Sequence, residues 1–256
     1  MSTRDKALEL KTLHQAPEIL QVVNVWDAVS AKVVAGLRET KAIATAGHSI
    51  AAMYGYADGE MPFELALQGA KTIAEAVSLP VSADLDDGYA DPAETTRRAI
   101  GAGIVGANVE DRLRPLTESA DRVRAIMRTA ESEGIEFQLN ARTDAIVRAK
   151  NRPMEESIAD AIERGRAFLD EGAALVFVPG ALTREQIEPL VEGLGWGKLS
   201  VIGLPGALTA LEYQELGVAR ISYGPLTQRV ALRALENLAS TLYHGGVIPE
   251  DTPALN

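Results

Sequence analysis

Leu79-Pro80-Val81-Ser82-Ala83-Asp84-Leu85-Asp86-Asp87-Gly88 runs from a short apolar segment straight into three carboxylates. Acids at the end of a buried strand are costly to hold without a cation, because charge removed from water needs a partner. The same pattern recurs downstream. Gly106-Ala107-Asn108-Val109 ends in Glu110, and Phe137-Gln138-Leu139-Asn140-Ala141 ends in Arg142, so three successive strand-like runs finish in charge.

Working outward from these three, strand-like runs fall near Leu20–Val25, Ala42–Thr45, Val81–Asp84, Gly106–Glu110, Phe137–Ala141, Ala174–Val178, Leu199–Gly203 and Ala219–Tyr223. Most read as continuous apolar segments, the mark of parallel strands covered on both faces, and each is followed by a helical pattern. Ile158, Ala161, Ile162, Gly165, Phe168 and Leu169 form one apolar stripe, with Asp160, Glu163, Arg164 and Arg166 off it. Asp91 before Pro92 reads as an N-cap with a first-turn proline, and Gly172 as a helix stop. Leu226, Val230, Leu235, Leu238 and Leu242 mark a last helix, after which Gly245-Gly246 and two prolines end the pattern.

Eight strand–helix alternations without a linker or composition break predict an α/β fold, a (β/α)8 TIM barrel. It would be one domain over 1–256, with a C-terminal helix and tail over 226–256. In that fold the βα loops gather residues distant in sequence at one rim. A doubly wound sheet shares the alternation but not the closed count.

The bulk composition narrows the function. With 46% hydrophobic residues in 256 there is material for a sizeable core, and 25 Lys+Arg against 36 Asp+Glu give a net charge of -11. That field repels nucleic-acid backbones and anionic membranes, so neither is an expected partner. The absence of cysteine removes disulfides, zinc–thiolate sites and any cysteine nucleophile or base. No signal-peptide core opens the chain and no run reaches the roughly 18 apolar residues of a membrane span, so a cytoplasmic protein is expected.

At the predicted rim, Asp84 and Asp86 lie two apart and would share a face in extended backbone, with Asp87 on the other. A divalent cation relieves their repulsion, and hard oxygen ligands favour Mg²⁺ or Mn²⁺ over zinc. The competing reading is that these acids cap a helix or solvate a loop; Glu110 and Arg142 at neighbouring strand ends weigh against it. Arg142, on the same face as Asn140, suits bidentate capture of a substrate carboxylate, or else an ion pair with Asp84 or Glu110. Asp58 follows the second strand and reads by spacing as a turn residue or a further acid of the site. Asp27 reads as a helix cap, and Trp26 beside it as packing or a substrate contact. His48 is the one histidine near the rim, and Gly47 would let backbone amides approach an oxyanion. Gly101 to Gly106 fits a dinucleotide spacing but runs from a helix into a strand, the wrong context.

Together Asn24–Ala28, Tyr56–Glu60, Ala83–Gly88, Gly106–Asp111 and Asn140–Asp144 resemble, in order, the motifs of the isocitrate lyase and phosphoenolpyruvate mutase superfamily, across about Val22 to Tyr223. The resemblance implies a Mg²⁺-dependent barrel that cleaves a C–C or C–P bond next to a 2-oxo acid through an enolate. It also implies a homo-oligomer, usually a tetramer with C-terminal helices exchanged between subunits, acting on a small 2-oxo acid or dicarboxylate. Asp84 would be the direct metal ligand, with Asp58, Asp86 and Glu110 holding the ion partly through water. Arg142 would hold the substrate carboxylate and, with Asp58 and Glu110, make up the catalytic set. Gly47 and His48 amides would face the substrate oxygens, and Trp26 would stand among the substrate-binding residues. Two departures matter. The lyases carry a Lys-Lys/Arg-Cys-Gly-His loop after the fourth strand, where this chain has Asp111-Arg112-Leu113-Arg114, so a cysteine-dependent isocitrate or methylisocitrate lyase is not expected. The Lys-Thr-Asn-Ser type of gating loop is missing too. What remains is a lyase, an oxaloacetate hydrolase or decarboxylase, or a weakened relative that binds a carboxylate metabolite without turning it over. A Schiff-base aldolase is disfavoured, since no lysine ends a predicted strand.

Overall fold

The computed structural model describes residues 1–254; the last two positions of the predicted 1–256 domain lie outside the described residues. Eight parallel strands close into one barrel in sequence order. They are β1 (Leu20–Val25), β2 (Ile43–Thr45), β3 (Val81–Asp84), β4 (Gly106–Glu110), β5 (Gln138–Arg142), β6 (Leu175–Phe177), β7 (Leu199–Ile202) and β8 (Val218–Ser222). The connecting helices are α2 (Ala28–Ala35), α3 (Gly47–Tyr54) and α4 (Phe63–Ala76), α5 (Pro92–Gly101), α6 (Leu116–Ser132), α7 (Met154–Asp170), α8 (Arg184–Leu194), α9 (Ala210–Glu215) and α10 (Leu226–Tyr243), preceded by α1 (Thr3–Gln15). Each predicted strand is present, with no end shifted by more than one residue. None of the described helices is long and apolar enough to cross a membrane.

Local chemistry explains the helix starts. Asp27 caps α2 in a reciprocal box with Ser30, its carboxylate accepting from the Ser30 amide at 2.7 Å. Asp91 caps α5 by accepting from the amides of Ala93 and Glu94, with Pro92 in the first turn. On α7, Ile158, Ala161, Gly165 and Phe168 are buried, as the apolar stripe predicts.

The strands differ from the expectation in one respect. They are not apolar on both faces throughout, because several lumen-facing positions on β3, β4, β5, β7 and β8 are polar. Asn140 on β5 donates across the lumen to Asn108 Oδ1 at 2.8 Å and Ser200 Oγ at 3.1 Å, and Arg220 on β8 reaches Ser82 Oγ on β3 at 3.2 Å. Small residues flanking these positions, such as Ala83, Ala107 and Ala141, made the runs look uniformly apolar while the alternation lay underneath.

Asn24 fastens the seam of the barrel. Its Oδ1 accepts from the amides of Tyr223 and Gly224 at 2.7 and 2.8 Å, and its Nδ2 donates to Thr45 O at 2.8 Å. At the opposite, N-terminal mouth, α1 acts as a plug. Ala7 and Leu10 are fully buried against Leu20, Val22, Ala44 and Val105, and a Cβ on Gly106 would stand 2.9 Å from Leu10 Cδ2 and 2.7 Å from Gln138 O. Only glycine fits there. No strand-end pattern in the sequence signals this helix, since its apolar face is short.

Candidate active site

Charged side chains converge at the C-terminal mouth around a cavity of about 420 Å³. Asp84, Asp86, Asp58 and Glu110 line it together with Arg112, Arg142, Arg148, His48 and the lumen residues Asn24 and Asn108. The volume falls in the range of small-ligand sites.

The register of the strands explains why these residues meet. Asp84 pairs with Asn108 and Asn108 with Asn140, while one step higher Glu110 pairs with Arg142 and Arg142 with Phe177. Each level of the barrel thus presents a ring of lumen-facing groups, and the top two rings carry the charge.

Asp84 ends β3, and its Oδ2 accepts from the Gly47 amide at 3.0 Å. A Cβ on Gly47 would stand 3.1 Å from that oxygen, so glycine is what permits the approach. Burial first, and then the charge of Asp86, push the Asp84 carboxyl up to about 7, despite the Gly47 bond and the Arg142 charge. Asp86 is also raised, by burial and the nearby Asp58 and Asp87 charges against a hydrogen bond from Tyr89. Its backbone is left-handed, with φ of 49°, so the expected extended alternation stops at Asp84. Asp86 reaches the cavity through that turn, not by sharing a strand face. Asp87 turns away. It takes Arg114 and lies 3.5 Å from Arg112, and although burial opposes it, these charges hold its carboxyl below the usual range.

Glu110 receives Arg112 Nε at 2.9 Å and Arg142 Nη1 at 3.0 Å; burial nevertheless raises its carboxyl, with the Asp144 charge assisting. Burial weakens the Arg142 charge, but Glu110, Asp144 and Asp84 outweigh it and hold the guanidinium protonated. His48 Nδ1 lies 3.5 Å from Asp58, which is largely exposed at the edge of the cavity.

Two proposed contacts do not form as expected. Trp26 packs, half-buried, against the core cluster of β1–β5 and does not line the cavity, since the Ser30 hydroxyl turns the chain into α2 directly after β1. The Gly47 amide is spent on Asp84 rather than open to a substrate oxygen. Two further residues, Arg112 and Arg148, line the cavity. Arg112 follows Glu110 and is held over the mouth by a left-handed turn, with φ of 48°. Arg148 lies one helical turn beyond Asp144, whose Oδ2 accepts from its Nε at 2.7 Å; that i,i+4 spacing was the available signal.

The donor set suits a hard divalent cation. Every candidate ligand is a carboxylate oxygen, and two of them, Asp84 and Asp86, are partly buried with raised carboxyls that a cation would relieve. Among the described residues no three acids close into a preformed cluster.

Barrel and site define a (β/α)8 protein with an acid-and-arginine centre at the C-terminal mouth. A family model described as phosphoenolpyruvate phosphomutase matches residues 10–243, and the chain belongs to that family, within the isocitrate lyase/phosphoenolpyruvate mutase superfamily. The crystal structure of a candidate phosphonomutase from Burkholderia cenocepacia J2315 is similar with a TM-score of 0.87 at 35% identity, covering 92% of this chain and 99% of that one. Oxaloacetate acetylhydrolase in complex with the product oxalate is similar with a TM-score of 0.84 at 26% identity, covering 98% and 90%. The 2-methylisocitrate lyase of Bacillus subtilis (strain 168) is 25% identical over 265 residues, 96% of this chain and 84% of that protein.

Proposed function

We propose that this protein is a Mg²⁺-dependent enzyme that cleaves a bond adjacent to a 2-oxo acid through an enolate of the pyruvyl unit, with Mn²⁺ as an alternative ion. The observation that carries the reading is the pairing of a partly buried carboxylate, Asp84, whose acidity is weakened, with a partly buried, charged guanidinium, Arg142, at one cavity. Asp84 would hold the ion directly, with Asp86, Asp58 and Glu110 around it. When bound, Mg²⁺ supplies positive charge against the negative oxygen of an enolate.

The chain's own residues set the rest. Arg142 orients the substrate carboxylate with a planar fork whose Nε is already fixed by Asp144 at 2.8 Å, so little freedom is lost on binding. The Gly47 amide fixes Asp84, and Asn24 and Asn108 offer neutral polar contacts at the cavity floor. With no cysteine in the chain, the acid/base of the cysteine-dependent lyases is unavailable. The turn after β4 presents Arg112 instead, which favours a reaction needing no side-chain proton donor there, such as hydrolysis or decarboxylation of an oxaloacetate-like acid. The same missing loop favours, as a second reading, a protein that binds such an acid without turning it over.

The exposed apolar residues of α10, Val230, Leu232 and Leu235, support a homo-oligomer, dimer or tetramer, in which they are covered. Turnover is tested on 2-oxo and 2-hydroxy diacids with and without Mg²⁺. Metal-dependent product formation is the expected result. Mg²⁺-dependent oxalate binding without product selects the binder, and a folded protein that neither binds nor reacts rejects both.

A further inference from the structure

Resting on that reading of the site, we infer that Arg122 is a positioning residue for the metal. From α6 it clamps the left-handed turn Asp86–Tyr89 and so holds the Asp86 carboxylate towards the cavity.

The turn runs against backbone preference. Asp86, Gly88 and Tyr89 are left-handed, with φ of 49°, 82° and 54°. Glycine adopts this region freely and aspartate tolerates it, but a bulky residue such as Tyr89 stays there only where its surroundings enforce it. The turn is what brings Asp86 to the cavity, so whatever enforces it also places a candidate metal ligand.

The enforcing groups act on the carbonyls. Leu85 O accepts from the Gly88 amide at 2.9 Å and Asp86 O from the Glu110 amide at 2.8 Å. Asp87 O accepts from Arg122 Nη2 at 2.6 Å, Gly88 O from Thr95 Oγ1 at 3.0 Å, and Tyr89 O from Arg122 Nη2 at 2.9 Å. Five consecutive carbonyls are thus partnered, and one nitrogen of Arg122 serves two of them, on either side of the glycine. The contact is close: a Cβ on Gly88 would stand 3.5 Å from that same Nη2.

No ion pair explains the placement of Arg122. Burial, and then the charge of Arg114, lower its guanidinium despite Asp87, Glu118 and Asp91, so the position is held at a cost. What it gains there is a pair of charge-assisted bonds to main-chain oxygens, each stronger than a neutral one. On the far side of the turn, Asp87 Oδ1 accepts from the Tyr89 amide at 3.2 Å, the Tyr89 ring packs on Phe63 with centroids 4.8 Å apart, and the Tyr89 hydroxyl donates to Asp86. Fixing the Tyr89 carbonyl therefore also fixes the phenol that steadies the Asp86 carboxylate.

Arg122→Met keeps an apolar stem and removes both donors. Calorimetry on the full chain with Mg²⁺ alone is expected to show an affinity about 10-fold weaker than wild type, the worth of one charge-assisted hydrogen bond. Without metal, the Gly88 and Tyr89 amides should exchange about 10-fold faster, with exchange elsewhere in the barrel unchanged. At saturating Mg²⁺ the KM for the 2-oxo acid should stay within about threefold, since Arg142 is untouched. Arg122→Gln, polar but too short for both carbonyls, reads the same effects should Arg122→Met not fold. A lower melting temperature with wild-type Mg²⁺ affinity makes Arg122 merely structural and overturns the inference, as does failure of both variants to fold. A wild-type chain that does not bind Mg²⁺ rejects the metal reading and the inference with it.

Discussion

The two mouths of this barrel are built from the same eight strands, and the larger cavity is at the wrong end for chemistry. At the N-terminal mouth a cleft of about 1230 Å³ opens between α1 and the αβ loops, against about 420 Å³ at the C-terminal mouth. Several of its charges are paired at its rim: Lys11 with Glu136 at 2.7 Å and Arg124 with Glu171 at 2.6 Å, while Arg4 donates to Gly134 O at 3.2 Å. Beneath it, burial and the Arg220 charge push the His14 imidazole down to about 3, so it stays neutral and gives no proton switch. At the C-terminal mouth the partly buried carboxyls of Asp84 and Asp86 share one cavity with their acidity weakened, and three guanidiniums converge on Glu110. Volume marks where loops leave space. Unbalanced buried charge marks where a ligand is missing.

The largest effect that would break this contrast comes from Arg142. Arg142→Gln is expected to lower kcat/KM for the cleaved 2-oxo acid by about 10²- to 10³-fold, measured by product formation at saturating Mg²⁺. A loss under tenfold would mean that the fork is not the carboxylate anchor.

At the opposite end the expected effects are on stability, not rate. Leu10→Ala removes the centre of the α1 plug and should cost about 2–5 kcal/mol in denaturant unfolding, with KM unchanged. A KM change comparable with that of an active-site variant would show that the two mouths are coupled.

Asp84 gives a pH test with a definite sign. Its carboxyl is raised by burial and by Asp86, so between the unfolded value near 3.8 and about 7 the folded state holds more protons than the unfolded state. Through this group stability falls as pH rises over that window. The metal-free protein should therefore melt several degrees higher near pH 5 than near pH 8, and Mg²⁺ should recover most of the difference at pH 8. Asp84→Asn should raise the metal-free melting temperature at pH 8 by roughly 5 °C and abolish the Mg²⁺ response. A wild-type melting curve that is flat across this range would refute the buried-charge account.

The smallest expected effect concerns Arg220, whose guanidinium is fully buried in the lumen with Ser82 Oγ as its one hydrogen-bond partner among the described residues and is pulled down to about 10 by burial. Replacing an uncompensated buried charge by an apolar side chain of similar volume is often stabilising. Arg220→Met should accordingly gain about 1–3 kcal/mol in chemical denaturation and leave kcat/KM within about threefold. A loss of stability instead would place an unseen partner on that guanidinium and make the lumen less like the N-terminal mouth than the comparison holds.

Much of this was written in the chain, at particular residues. Asp84, Glu110 and Arg142 each end an apolar run, and that coincidence located both the strands and the rim, because a strand terminus is the one place where a parallel barrel lets buried backbone meet polar space. Asp27 and Asp91 announced their helices by local hydrogen bonding, which needs no tertiary partner. The spacing of Asp144 and Arg148 hinted at a contact, but whether Arg148 or Arg112 stands over a cavity or in solvent is decided only by the tertiary structure. Trp26 was misplaced for the same reason: a side chain at a strand end points to the cavity or to the helix layer according to the turn that follows.

The order and count of strands, the charge at their ends and the absence of a cysteine base were properties of the sequence alone, because they depend on periodicity and composition. Which charges face one another was decided only by closure. Joining β1 to β8 set the stagger of the strands, and that stagger put Arg112, Arg142 and Arg148 around one carboxylate and left Asp84 and Asp86 as partly buried neighbours.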